Sequence, residues 1–419
     1  MNRIILIGNG FDLAHGMKTS YNDFLKYFWK KTITEVHKFE GKEIFENEDI
    51  IVRNVPLQWL PGYEYSNLKK TLKAAKSKIE FKNIFLEKIS EKAYIQNWVD
   101  IENEYYELLK QSFDKRLSSS YYIQQLNSDF ERVKDLLEEY LLKIELEFDK
   151  SEHANFSRTR HRIQQRIYSS FKLKDFSENS QNIKIDAEYA DFLKDAVPFG
   201  KGDIDRDDLS EKRLALIQTI GADADKEKFK KLILSQDADK FFDLIPNHTL
   251  FLNFNYTFTE LHYEFPFHKS EWKNGKIAEF IHIHGSNRKE DNNPIIFGFG
   301  DELDEDYKRI EKLNDNDYLE NIKSIRYLDT DNYKRLLEFV NSGKYQIMIM
   351  GHSCGTSDRT LLNTVFENEN CASIKTYYHN KGDSKDNFSD IIKNISRNFN
   401  DKALMRDKVV NKTYCEPLN

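Results

Sequence analysis

Between Gly62 and Pro198 the sequence contains neither glycine nor proline, an interval of 135 residues (63 to 197) in a chain of 419. Losing both chain breakers over such a span, in a stretch rich in Lys, Glu, Leu and Tyr, predicts helices joined by short polar turns. Cysteine is equally scarce. The three thiols (Cys354, Cys371, Cys415) are odd in number and far apart, and none forms a C-x-x-C pair. That excludes a disulfide framework and a four-cysteine zinc module, and it suits a reducing compartment. No run approaches the ~20 apolar residues of a membrane span. The first apolar run starts within three residues of Met1, so no signal peptide is expected. A net charge of −7 argues against general nucleic-acid binding. What remains is a soluble protein, expected in the cytoplasm and long enough to bury a sizeable core.

What is present begins at the N-terminus. Ile4, Ile5, Leu6 and Ile7 run directly into Gly8-Asn9-Gly10, as a buried parallel strand delivers its end into a glycine turn. Backbone amides there can approach a phosphate closely, because glycine places no Cβ in between. A tight β-to-α turn with no ligand has the same pattern, and Leu13 stands where a third glycine of the dinucleotide fingerprint would fall.

Strand character returns late, in Thr249–Asn255, Ala278–His284, Pro294–Phe299, Tyr345–Met350 and Ala372–Tyr378. Helical patterns separate several of these runs, at Phe258–Glu264, Asp304–Ser342 and Asp358–Glu369. Alternating strands and helices predict an α/β fold: a mainly parallel, Rossmann-like sheet with helices on both faces. The first strand must then join strands from beyond residue 245. The expected organisation is a first part of the α/β domain (1–62), a large helical insertion (63–245), a second part of the domain (246–402) and a loosely held C-terminal tail (403–419).

Four strands end in polar clusters: Gly8-Asn9-Gly10-Phe11-Asp12, Asn253-Phe254-Asn255-Tyr256-Thr257, His284-Gly285-Ser286 and Gly351-His352-Ser353. Ligands of open parallel sheets bind beyond the strand C-termini, so these clusters predict one shared small-molecule site. His282 and His284, two apart, are expected on one strand face. They read either as two metal ligands or as a site histidine, His284, with His282 behind it in the core. Asn253 and Asn255 can hold a ribose hydroxyl or a water, or can end the strand by bonding their own backbone. Asp358 reads equally as a helix first-turn acid or as a ligand contact. In the run Asn97-Trp98-Val99-Asp100-Ile101-Glu102-Asn103-Glu104, Asp100 and Glu104 share a helix face. That face reads as solvated, or as one sending an acid into the crevice while Trp98 packs on the α/β domain.

Together GNGFDLAHGMKTSYNDF, NWVDIE, NFNYT, IHIHGS and GHSCGTSD resemble the AbiH-type abortive-infection proteins of bacterial antiphage defence, in order over most of the chain. More distantly, the strand ends resemble the sirtuin superfamily of NAD-binding proteins. Gly8, Gly10 and Gly16 match its glycine spacing, Asn255 the centre of its T-x-N-x-D strand end, His284-Gly285 its catalytic His-Gly, and Gly351 with Ser353 its late G-x-S element. Asp12 replaces a serine, Asn253 and Thr257 replace the outer residues of T-x-N-x-D, and the arginine expected after the glycine loop is missing, with Leu25 following Phe24. Without the zinc cysteines, protein deacylation is not implied.

The resemblance implies cleavage of the nicotinamide–ribose bond of NAD, with NAD as substrate and no metal. The implied catalytic residues are His284 as general base, with a pKa near the operating pH, and Asn255 orienting ribose or water. Gly8, Asn9, Gly10, Phe11, Asp12, Asn253, Gly285, Gly351, Ser353 and Asp358 would bind the nucleotide. An unregulated enzyme of this kind would kill its host, so a phage-derived trigger or self-association through the helical insertion is expected. A non-catalytic nucleotide sensor or scaffold and a metal-dependent hydrolase using the His282/His284 pair remain alternatives.

Overall fold

The computed structural model describes residues 1–96, 100–114, 121–149, 156–263, 277–382 and 385–418. In chain order its strands are β1 (Asn2–Ile7), β2 (Ile44–Glu46), β3 (Ile50–Arg53), β4 (Lys78–Phe81), β5 (His248–Asn253), β6 (Ile277–His282), β7 (Tyr345–Met350) and β8 (Cys371–Tyr377), followed by two short hairpin strands. Five of them form one sheet in the order β6-β5-β1-β7-β8, and every pairing is parallel. Ile5 of β1 is level with Phe251 on one side and Met348 on the other. The N-terminal strand is therefore the centre of a sheet whose other members all lie beyond residue 247.

The apolar run of β1 is continuous because both faces are covered. Ile4 and Leu6 pack with Leu250, Leu252, Ile281, Ile347 and Ile349 on one face. Ile5 and Ile7 pack with Phe251, Met348 and Met350 on the other. Helices Asn332–Asn341, Arg359–Glu367 and Phe388–Asn398 bury apolar residues on the first face, and helix Phe156–Ile167 buries Ile163 and Ile167 on the second.

The whole stretch from Gly8 to Asn247 is the crossover from β1 to β5, and it is largely helical. Ser20 caps helix Tyr21–His37 by accepting from the Asp23 amide. Helix Ile123–Asp149 buries Leu126, Phe130, Val133, Leu137 and Tyr140 along one stripe. Helices Glu178–Lys201, Glu211–Ile220 and Lys226–Ile233 close a separate core around Phe192, Leu216 and Phe229. Pro198 breaks nothing. It lies in the last turn of helix Glu178–Lys201, which ends at Gly202 with φ +78°.

Three sequence expectations fail. Residues 44–81 hold an antiparallel sheet, β2-β3-β4, that periodicity did not reveal, since each strand is only three or four residues long. Pro294–Phe299 is apolar but forms no strand; it folds back so that the Ile296 amide donates to the His284 carbonyl, and its apolar side chains are buried as a wall. The segment past Lys402 is firmly held. Val409 bridges to Ile374, Pro417 bridges to Tyr378, and Leu418 is buried. Among the described residues, no helix is long and apolar enough to cross a membrane.

Candidate functional site

Chain order reverses across β1: β5 and β6 lie to one side, β7 and β8 to the other. The topological switch point of the sheet is therefore between the C-terminal ends of β1 and β7, where open α/β sheets place their ligands. Here the turns Gly8–Phe11 and Gly351–His352 touch backbone to backbone. The Gly10 amide donates to the Gly351 carbonyl at 2.8 Å, the Phe11 amide to the Gly8 carbonyl at 2.8 Å, and the Gly8 amide to the Met350 carbonyl at 3.4 Å. Gly351 sits at φ +81°, and a Cβ on it would overlap the Phe11 nitrogen; one on Gly10 would lie 2.7 Å from the Gly351 oxygen. The glycines thus have a packing role of their own, and the polar chemistry lies around this seam.

On the β5 side, Asp12 is buried one turn beyond β1. Its Oδ2 accepts from Thr257 Oγ1 at 2.6 Å, while its Oδ1 has no hydrogen-bond partner. Asn255 presents its Nδ2, also buried and with no hydrogen bond inside 3.5 Å, toward Asp12, near enough to lower the carboxyl's pKa. Burial pushes the Asp12 carboxyl up to about 6, against the Thr257 and Thr259 hydroxyls. Asn253 faces inward: its Nδ2 donates to Glu260 Oε2 at 2.7 Å, and its Oδ1 accepts from the Asn255 amide at 2.8 Å. Glu260 Oε1 lies 2.7 Å from His282 Nε2. Asn9 accepts from Thr19, and Phe11 packs on Tyr263.

Beyond the ends of β6 and β7 lies a buried charge network. Asp358 Oδ1 is 2.8 Å from Lys323 Nζ and 3.2 Å from His284 Nε2, and Oδ2 is 3.5 Å from His352 Nε2. Lys323 Nζ also reaches Glu102 Oε2 at 2.8 Å. Glu102 comes from helix Ile101–Phe113 in the long crossover, 221 residues away in sequence. His352 Nδ1 accepts from the Cys354 amide at 2.9 Å, which leaves the ring proton on Nε2, facing Asp358. Phe254 packs between the imidazoles of His284 and His352 at 5.0 and 4.3 Å, and Tyr327 stacks on His284.

Electrostatics differentiate these groups. Burial alone would raise Asp358, yet Lys323 and the two histidines hold it well below the ordinary carboxylate range. Glu102 goes the other way: burial and the Asp358 charge push it up to about 7 despite Lys323. Lys323, between two carboxylates, rises to about 12 in spite of its burial. Burial and the Lys323 charge push His284 down to about 4, so it is neutral at physiological pH instead of titrating near it as the sequence suggested. Tyr21, Tyr256 and Tyr327, buried around these carboxylates, are raised far above their usual values and stay protonated.

The structure therefore sorts the sequence candidates. His284, Asp358 and His352 come together, and Asp12, Asn253 and Asn255 come together. Gly8, Gly10 and Gly351 form the seam between the β1 and β7 ends. Gly285, at φ +81°, turns His284 beneath the Pro294 carbonyl. Ser353 is exposed, and its carbonyl accepts from Asn394. β6 ends at His282, so the alternation expected to carry both histidines to one face stops there, and the two rings have different partners. Among the described residues, no group of three or more His, Cys, Asp or Glu side chains is arranged to hold a metal ion.

Asp100 caps its helix by accepting from the Asn103 amide, and Glu104 pairs with Lys92; Trp98 lies outside the described residues. Sequence reasoning missed Glu102 and Lys323. Glu102 had a signal: it shares the apolar stripe of Tyr105, Tyr106 and Leu109 at i+3, i+4 and i+7. Lys323 had none, in a helix of four residues.

The Asp12 environment gives a testable pH dependence. With its folded pKa raised to about 6, the carboxyl keeps a proton the unfolded chain has lost, so its contribution is largest below about pH 4 and falls as pH rises through 6. Asp12→Asn is expected to be at least as stable as the parent above pH 6 and less favoured below 4. Urea midpoints across pH 4–8 check this, and a uniform loss at all pH values would contradict it.

A protein-family model described as bacteriophage abortive infection AbiH matches residues 4–194 and 205–380. No curated protein gives a significant match, and no solved structure does.

Proposed function

We propose, for a chain that belongs to the bacteriophage abortive infection AbiH family, an effector that binds NAD at the C-terminal ends of β1, β5 and β6 and cleaves its nicotinamide–ribose bond. The observation that carries this reading is the Asp12/Asn255 pair. A buried carboxylate oxygen and a buried amide nitrogen, neither with a hydrogen bond inside 3.5 Å, sit beyond the ends of adjacent parallel strands, near enough for the amide to lower the carboxyl's pKa. Unpartnered buried polar atoms are costly. A ribose diol supplies a hydroxyl to donate to Asp12 Oδ1 and an oxygen to accept from Asn255 Nδ2.

In the proposed reaction the C1′–N bond breaks and its electron pair moves onto the pyridinium nitrogen, releasing neutral nicotinamide. The ribose becomes oxocarbenium-like, and the low-pKa carboxylate of Asp358 supplies negative potential nearby. Water attacks C1′, and its proton passes to His284. With Asp358 at Nε2, the accepting lone pair is on Nδ1. Tyr256, Tyr327 and Phe254 exclude bulk water. NAD is the substrate, and a phage-derived trigger or a second copy meeting the helical crossover is the partner this activity requires.

The test is nicotinamide release from NAD by purified protein, followed by chromatography with and without a chelator, and NAD content of infected cells expressing it. Release insensitive to chelator and NAD loss on infection are expected. NAD bound but never cleaved under either condition would replace this reading with a nucleotide sensor, and release abolished by chelator would replace it with a metal-dependent hydrolase.

A further inference from the structure

A second feature lies away from the strand ends. Over the sheet face at β7 and β8 there is a cavity of about 360 Å³ floored by Met348, Lys375 and Tyr377 and roofed by Arg162 and Arg166 of helix Phe156–Ile167. It opens past Ser169, Ser170 and Lys172 into a larger one of about 900 Å³, whose walls include Tyr168, Phe171 and Tyr414. Neither cavity shares a residue with the Asp12/Asn255 or Asp358/His284 clusters.

The charge of the smaller cavity runs against that of the chain. Four cations (Arg162, Arg166, Lys172, Lys375) face two carboxylates (Asp175, Glu416) in a protein of net charge −7. Asp175 is spent on Lys375 at 2.9 Å, both of them buried. Arg166 donates to the Leu418 carbonyl and lies 3.6 Å from Glu416, a half-buried rim residue. Among the described residues neither Arg162 nor Lys172 is in an ion pair, and the one carboxylate whose charge Lys172 feels, Asp175, is already held by Lys375. The Arg162 Nε is buried and has no hydrogen-bond partner. Two guanidiniums held close on one helix face repel, and Arg166 feels the Arg162 charge. A bound dianion would relieve this repulsion and supply the missing acceptor. In the adjoining cavity the exposed Tyr414 offers a face to a flat ring, and the combined size is that of a small-molecule site.

We propose that this cleft is a second ligand site, taking a phosphate-bearing small molecule of nucleotide size, with Arg162 and Lys172 on the phosphate and the ring toward Tyr414. The C-terminal segment forms one wall through Tyr414, Cys415 and Glu416, and Arg166 already donates to the Leu418 carbonyl, so occupancy would also fasten this segment to helix Phe156–Ile167.

Calorimetric titration of the full chain with AMP, adenosine and inorganic phosphate tests this independently of the strand-end reading. AMP is expected to bind, phosphate more weakly and adenosine not at all, with affinity falling as salt rises. Arg162→Glu and Lys172→Glu are each expected to weaken AMP at least tenfold while leaving nicotinamide release from NAD unchanged. Lys172 is exposed, so its variant keeps the test valid if Arg162→Glu fails to fold. AMP binding unaffected by Lys172→Glu but lost in Asn255→Ala would place the ligand at the strand ends and overturn the proposal. Equal binding of adenosine and AMP, or no binding of AMP or phosphate at millimolar concentration, would overturn it too.

Discussion

Replacing Lys323 by methionine is expected to cost about 3–5 kcal/mol of folding stability at pH 7.5, the usual consequence of removing one partner from a buried ion pair. Lys323 is fully buried, with the carboxylates of Glu102 and Asp358 each 2.8 Å from its ammonium. Methionine fills similar space but leaves two carboxyls that must share a proton or repel. The sign with pH follows. Asp358 is depressed in the parent, so it contributes stability above its unfolded pKa, and this is lost as pH falls. In the variant that contribution is gone, and the carboxyls cost least when protonated. The gap between parent and variant should therefore narrow toward pH 5. Adding Glu102→Gln should recover part of the loss, since the two sites are directly coupled. Urea midpoints of the two single variants and the double check all three points. A Lys323→Met protein within 1 kcal/mol of the parent at pH 7.5 would show that the network is not holding the crossover helix to the sheet.

The second large effect is on catalysis. His284→Gln is expected to reduce nicotinamide release from NAD by on the order of 10² to 10⁴, the ordinary contribution of a positioned general base. Glutamine keeps a donor for Asp358 and much of the packing on Phe254 and Tyr327, so the melting temperature should move little. Because His284 is pushed down to about 4, the parent should stay active down to about pH 5 and lose activity only as the ring is protonated near 4. A solvent-exposed histidine would lose it near 6.5. His282→Gln should instead act on stability, through the lost Glu260 contact, and leave the pH profile in place. Full activity in His284→Gln, or an acid limb unchanged in position and height, would remove His284 from the mechanism.

Much of the sheet was legible. A short apolar run ending in glycine at residue 8 names a buried strand and where it stops, because both properties are local. The later runs at Thr249 and Tyr345 carry the same signature, and alternation with helices was enough to predict a parallel sheet that includes β1. The three-residue strands near Ile44 were not legible, since a pleat needs several residues to show its period. Pro294–Phe299 misled because burial was taken for strand pairing; its apolar side chains are instead buried as a wall.

The site divides the same way. Sequence placed His284, Asn255 and Asp12 at strand ends, and the polar strand-end rule brought them to one end of the sheet. It read Asp100 and Glu104 as a solvated face or as the source of an acid for the crevice, because charged neighbours at helical spacing read as a face. Glu102, on the apolar stripe, is the residue that reaches inward. By itself, then, the sequence determined the elements, the central strand and the edge of the sheet where chemistry collects, all from patterns within a few residues. Only the tertiary structure decided which charges meet. Lys323 joins Glu102 to Asp358 across 221 and 35 residues, and whether such groups are buried together, and hence which carboxyl keeps its proton, is a property of packing that no local pattern encodes.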